Sequence, residues 1–226
     1  LADLGHNVLL LDIDPQGNAS SGIGIDKKMI KTCIYDTLIN EIPVEKVIYK
    51  SKHKTLFVIP ATIQLAGAEI ELVPTISREV RLKTVLEPIK KKFKFIIIDC
   101  PPSLGLLTLN ALTAADYILI PIQCEYYALE GLGQLVNTIN LVKKHLNSAL
   151  KIGGVLLTMY DTRTNLSSQV AEEVRNYFGN LVFDSVIPRN VRLSEAPSYG
   201  ESIIDYDPRS KGAEVYKNLA EEVLLR

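Results

Sequence analysis

Two apolar runs in this chain end in carboxylates. In HNVLLLDIDPQGNASSGIG (His6 to Gly24) the run drives into Asp12 and Asp14, followed at once by Pro15, Gln16 and Gly17. Side chains of an extended strand repeat every two residues, so Asp12 and Asp14 are expected on one side. Like charges so placed repel, and one of them takes up a proton unless a cation compensates. Magnesium together with a phosphate-binding lysine would supply that compensation. The plainer alternatives are a solvated strand end or a single carboxylate capping the next turn.

FIIIDCPPSLG (Phe95 to Gly105) repeats the pattern with Asp99. Nucleotide triphosphatases present a carboxylate at a strand tip in this way, held to orient water on Mg²⁺. An Asp that merely caps the helix beginning near Leu106 is the competing reading. Pro101-Pro102, then Ser103 and Gly105, make a stiff turn that opens into glycine, which suits a segment sensing a terminal phosphate.

The other motifs carry less chemistry. GIGI (Gly22 to Ile25) lacks the third glycine of a dinucleotide fingerprint and reads as a loop. A phosphoacceptor receiver domain also gathers acids at strand tips, but it needs a lysine after a late strand, where TMYDTRT stands. His6, His53 and His145 have no metal-ligand spacing, and no serine sits in G-x-S-x-G. Arginines recur in polar loops of the C-terminal half: YDTRTN (Tyr160 to Asn165), PRNVRLSEAPSYG (Pro188 to Gly200) and DPRSKG (Asp207 to Gly212). Each alone is a solvated charge; together they could track a phosphate backbone without reading sequence.

The elements that must position these residues follow from pattern and length. Apolar runs at 8–14, 56–61, 95–99, 117–122, 153–159 and 181–188 are mostly continuous, as in strands covered on both faces of a parallel sheet. Helical spacing lies between them: Ala66 to Lys92 (broken by Pro74 and Pro88), Leu129 to Leu146, Leu166 to Phe178, and Gly212 to Leu225. That alternation predicts a single α/β domain over 1–226, a doubly wound and mostly parallel sheet with helices on both faces. Ligands of such sheets bind beyond the carboxyl ends of the strands, where the acids recur. Lys and Arg number 25 against 26 Asp and Glu, so any nucleic-acid binding must come from a local patch. Three scattered cysteines without C-x-x-C argue for reduced thiols and a cytoplasmic setting. No apolar run approaches the roughly 18 residues of a membrane span. The opening LADLGHNVLLLD reads as the tail of a helix, a glycine stop and a strand, so a first strand and most of a first helix are expected to be missing.

The long stretches VLLLDIDPQGNASSGIGI, VIPATIQLAGAEIELVPTISREVRLK, FIIIDCPPSLGLLTLNALTAAD, PIQCEYYALEGLGQL and VIPRNVRLSEAPSYGESIIDYDPRSKGAEVY resemble the ParA/Soj chromosome-partitioning ATPases, and the likeness runs from Leu1 to the last helix. The resemblance implies a P-loop NTPase-like fold, ATP and Mg²⁺ as cofactors, an ATP-dependent homodimer, non-specific binding of double-stranded DNA, and hydrolysis stimulated by a ParB partner. It implies no membrane association and a nucleoid location. By the same resemblance Asp14 positions the attacking water and Asp12 supports the magnesium network. Asp99 is the Walker B acid, holding Mg²⁺ through water. Pro188 and Asn190 match an adenine-contacting loop, with Met159 on the ring's other face. Arg163 and Arg192 match DNA-binding arginines, with Arg209 and Lys211 as extras. The family's K-G-G-x-G-K-T-T phosphate loop has no counterpart in 1–226, so this chain is expected to bind ATP poorly by itself. Two rivals stay open: a non-catalytic fragment that sits on DNA or a partner, and a metabolic or metal-delivery enzyme on the same scaffold.

Overall fold

The computed structural model describes residues 1–125 and 131–226. Strand β1 (Val8–Asp12) leads through the short helix α1 (Asn18–Gly22) and α2 (Ile34–Leu38) to β2 (Tyr49–Lys50) and β3 (Leu56–Ile59). Helices α3 (Leu65–Glu71) and α4 (Arg81–Leu86) follow, then β4 (Phe95–Asp99), α5 (Leu106–Ala114) and β5 (Tyr117–Gln123). The second half holds α6 (Leu132–His145), β6 (Lys151–Thr158), α7 (Asn165–Phe178), α8 (Val191–Glu195), α9 (Ile203–Tyr206) and α10 (Lys211–Leu224).

Two sheets form. One has the order β2-β3-β1-β4, with β1 parallel to both β3 and β4 and only the short β2 antiparallel. The other is the parallel pair β5-β6. Parallel neighbours need long crossovers, and helices supply them. Leu9, Leu11 and Ile13 bury one face of β1 in a core with Ile34, Leu65, Leu82 and Leu107. A second cluster joins Ile120, Ile122, Val155 and Leu157 to Val170, Val174 and Phe178 of α7.

The edges of β4 and β5 carry no strand partner among the described residues. Their side chains show it: Ile97 is 44 % exposed, Leu119 45 % and Tyr117 62 %. The continuous apolar runs lead one to expect burial on both faces here. Coverage fails because an unpaired edge leaves backbone and flanking side chains open to water.

Five of the six expected strands form, 95–99 with the expected bounds and the others with bounds moved by no more than two residues. The sixth, 181–188, does not. It makes isolated bridges, Val182 to Val155 of β6 and Pro188 to Tyr160 just beyond it, and its Phe183 and Ile187 N–H groups donate to the Val155 and Leu157 carbonyls (2.9 Å each), but no continuous ladder forms. Glu222 explains part of this, because its carboxylate accepts the N–H groups of Asp184 (2.7 Å) and Ser185 (3.1 Å), donors that a ladder would otherwise use. Pro188 has no N–H to offer. The stretch 66–92 forms only α3 and α4 with short turns between them, as its prolines imply. Helix α6 begins at Leu132, and the expected start at Leu129 lies outside the described residues.

Candidate nucleotide and magnesium site

The acids meet at neighbouring strand tips. Asp12 and Asp99 are register partners across the β1–β4 ladder, and the Ile13 N–H donates to the Asp99 carbonyl (2.9 Å). Asp12 and Asp14 do not share a face in the simple way strand periodicity suggests. β1 ends at Asp12, and the chain turns at once, the Gly17 N–H donating to the Asp14 carbonyl (2.8 Å). The two carboxylates therefore live in different surroundings.

Asp12 is fully buried and fully employed. One oxygen accepts from the Asp14 N–H (3.1 Å); the other accepts from the N–H (2.8 Å) and hydroxyl (2.7 Å) of Ser20. Three donors make a buried carboxylate tolerable without a cation. Ser20 in turn accepts the Ala61 N–H (3.2 Å), so Asp12 ties the turn after β1 to the end of β3. Ser20 escaped sequence reading because a serine in a short polar helix looks solvated. Asp14 is half-buried, and among the described residues its side chain accepts only the Gln16 N–H (2.9 Å). It is the freer acid of the pair.

The like-charge cost falls on Asp99. This residue is exposed on one side, and its carboxyl is partly desolvated by the surrounding protein. That burial first, and then the charges of Asp12 and Asp14, raise its pKa to about 6. Its neighbour Cys100 has its thiol pushed up to about 12 by burial and by Asp99, which makes it inert rather than reactive.

The turn between Asp14 and α1 needs its glycine. Gly17 has φ +61°, and a Cβ there would stand 2.8 Å from the Ala61 carbonyl oxygen. The Lys27 ammonium donates to the Gln16 carbonyl and lies against Gly17, a cation over the acidic turn that no motif announced.

Met159, Pro188 and Asn190 lie around one backbone crossing, where Tyr160 bridges Pro188. Tyr160 donates to the Ile187 carbonyl (3.1 Å) and accepts from the Arg189 N–H (2.9 Å), which sets Met159 next to Pro188. Met159 takes φ +55°, a conformation uncommon for a residue with a Cβ and favoured at functional turns. Asn190 uses its side-chain oxygen to cap α8, accepting the Arg192 N–H (2.8 Å).

Three of the four basic candidates are paired with carboxylates. Arg163 donates to both oxygens of Asp161 (2.9 and 2.7 Å), which holds that carboxyl well below the usual range. Arg192 meets Glu195 (3.0 Å) and Asp207 (3.7 Å), and Lys211 meets Glu214 (2.8 Å). Arg209 is exposed and has no ion pair among the described residues. The contact between Arg192 and Asp207 places α8 beside the turn that carries Arg209 and leads into α10 at Lys211. The three cations are exposed, so each pair is a weak bond that a phosphate can replace.

Among the described residues no three His, Cys, Asp or Glu side chains form a metal cage. Magnesium does not need one, because it keeps several waters and takes one or two carboxylates beside phosphate oxygens. Asp99, open on one side and carrying an unrelieved charge cost, fits that ion.

A family model described as an AAA domain matches residues 1–152. The sporulation initiation inhibitor protein Soj of Bacillus subtilis is 66 % identical over 223 residues, covering 99 % of this chain and 88 % of that protein. The chromosome partitioning protein ParA of Myxococcus xanthus is 55 % identical, covering 100 % and 80 %. Among solved structures, cobyrinic acid a,c-diamide synthase from Mycobacterium smegmatis with bound ADP and magnesium superposes with a TM-score of 0.85 at 36 % identity, over 98 % of this chain and 83 % of that one. The cell division ATPase MinD of Pyrococcus furiosus gives 0.80 at 27 %, over 98 % and 87 %. The fold is that of the α/β P-loop NTPases, and identity is higher to the partition proteins than to the cobyrinic acid enzyme. The chain belongs to the ParA/Soj family of chromosome-partitioning ATPases.

Proposed function

We propose that this protein hydrolyses ATP with Mg²⁺, dimerises on the nucleotide and binds double-stranded DNA without sequence preference. A ParB-type partner stimulates the hydrolysis, and the protein works in the cytoplasm on the nucleoid. The observation that carries this reading is the meeting of Asp12, Asp14 and Asp99 at adjacent parallel strand tips, with Asp99 left bearing the charge cost.

Magnesium bound with a triphosphate neutralises charge on the phosphate oxygens and relieves that repulsion. Phosphoryl transfer asks little covalent chemistry of the protein, so the residues act by position. Asp99 holds the ion's shell. Asp14, the freer acid, orients the attacking water. Asp12 does not need to touch either; through the Asp14 N–H and Ser20 it fixes the turn that carries Asp14. Pro188, Asn190 and Met159 form the floor for the base.

The test is Asp14→Ala in the protein as expressed from its own gene. Hydrolysis is expected to fall to background while ATP-dependent dimerisation, read by sedimentation, persists. Turnover near wild type would remove Asp14 from its role.

A further inference from the structure

Glu69, on α3, is employed by nothing described so far. Its Oε1 is fully buried and has no hydrogen-bond partner among the described residues. A carboxylate oxygen taken from water without a donor is costly, so its position must return something. The carboxylate lies directly on Gly105. A Cβ built at Gly105 would overlap Oε1 and stand 3.0 Å from Cδ. Gly105 has φ −83° and ψ −170°, a backbone conformation open to any residue. The glycine is therefore there to admit Glu69, not to permit a turn.

Gly105 caps the N-terminus of α5 and closes the loop that begins at Asp99. That helix end has no side-chain cap, so the positive end of its dipole faces the Glu69 charge. The remainder of α5 is anchored elsewhere. Asn110 accepts the Leu82 N–H (3.0 Å) and donates to the Arg78 carbonyl (2.8 Å), pinning the middle of the helix to α4. The loop has its own clasp, the Thr108 hydroxyl donating to the Ser103 carbonyl (2.6 Å). With α5 fixed at Asn110, Glu69 is what bears on the junction between loop and helix.

We propose that Glu69 is a positioning residue for the Asp99–Gly105 loop: seated on Gly105 before the first turn of α5, it sets where that loop holds Asp99 during hydrolysis. The inference rests on the ATPase reading above. Glu69 touches no reacting atom, and its effect runs through the backbone of 100–105.

The experiment uses the full-length protein with Glu69→Gln, Glu69→Ala, Gly105→Ala and the double variant Glu69→Ala/Gly105→Ala. Two readouts are taken: steady-state ATP hydrolysis, and amide hydrogen exchange of 100–109 without nucleotide. Glu69→Gln keeps the shape and loses the charge; it is expected to lower kcat by about tenfold with KM for ATP changed less than about twofold. Exchange at 100–109 is expected to rise in Glu69→Ala while other segments keep their protection. Gly105→Ala is expected to act strongly in wild type and to add little to Glu69→Ala, because the methyl group then has room.

Wild-type kcat in Glu69→Gln, unchanged exchange at 100–109, or additive effects in the double variant would each overturn the proposal. So would a loss spread over global stability with kcat intact, which marks a packing role only. A wild-type protein that fails to hydrolyse ATP would sink the ATPase reading instead, and the exchange data would still decide whether Glu69 holds the loop.

Discussion

At the residue scale, the three acids divide one problem among them. Asp12 is satisfied by internal donors, Asp14 is left available, and Asp99 absorbs the repulsion. Asp99 has a pKa raised in the folded protein, so the native state binds its proton more tightly than the unfolded chain. Stability from this group is greatest below the ordinary carboxylate range and falls as pH rises from about 4 through 6, then stays low. Asp99→Asn removes the cost. Without nucleotide, its melting temperature is expected to exceed wild type at pH 7.5, with the gap narrowing toward pH 4.5, while hydrolysis is lost. Thermal melts at the two pH values check this, and a gap that grows on acidification would contradict it. Cys100 tests the same environment differently: its thiol is expected to resist alkylation at pH 8 in the folded state and to react on unfolding.

At the element scale, each acid is aimed by how a strand stops. β1 ends at Asp12 because the turn 14–17 closes under Gly17, whose positive φ and contact with the Ala61 carbonyl exclude a side chain. Gly17→Ala is expected to destabilise the protein by about 1–3 kcal/mol, in the range of strained left-handed positions. Chemical denaturation measures it, and an unchanged midpoint would mean that the turn is softer than its geometry implies. Much of this scale was legible beforehand. The run into the acids at 12 and 14, the run ending in Asp99 and the helix starting near Leu106 follow from apolar continuity and a terminal polar residue, which are local signals; that the first strand stops at Asp12 and not at Asp14 did not. What stayed hidden depends on partners far along the chain. Ser20 and Ala61 lie 41 positions apart and meet only in the fold. Nothing local in 181–188 says that Glu222 will claim its N–H groups. The exposure of Ile97 was also beyond reach, since a continuous apolar run encodes a covered strand whether or not both neighbours are present.

At the scale of the whole molecule, the proposed grip of a nearly neutral chain on DNA rests on a few local cations, most of them held by carboxylates. Exposed pairs of this kind contribute little, so exchange of Asp161 or Glu195 for a phosphate costs little as well. Arg163→Ala and Arg192→Ala are expected to weaken DNA binding several-fold without altering ATP binding, with the salt dependence of affinity becoming shallower. Filter binding across a salt series reads both; a complex indifferent to salt would contradict the patch. The account as a whole requires that a divalent ion and a triphosphate are what the three acids are arranged for. Titration calorimetry of ATP into the protein as expressed from its own gene, with and without magnesium, tests that most directly. Binding that needs magnesium and is weakened by Asp99→Asn is the expected result; no adenine-nucleotide binding with magnesium present would contradict it.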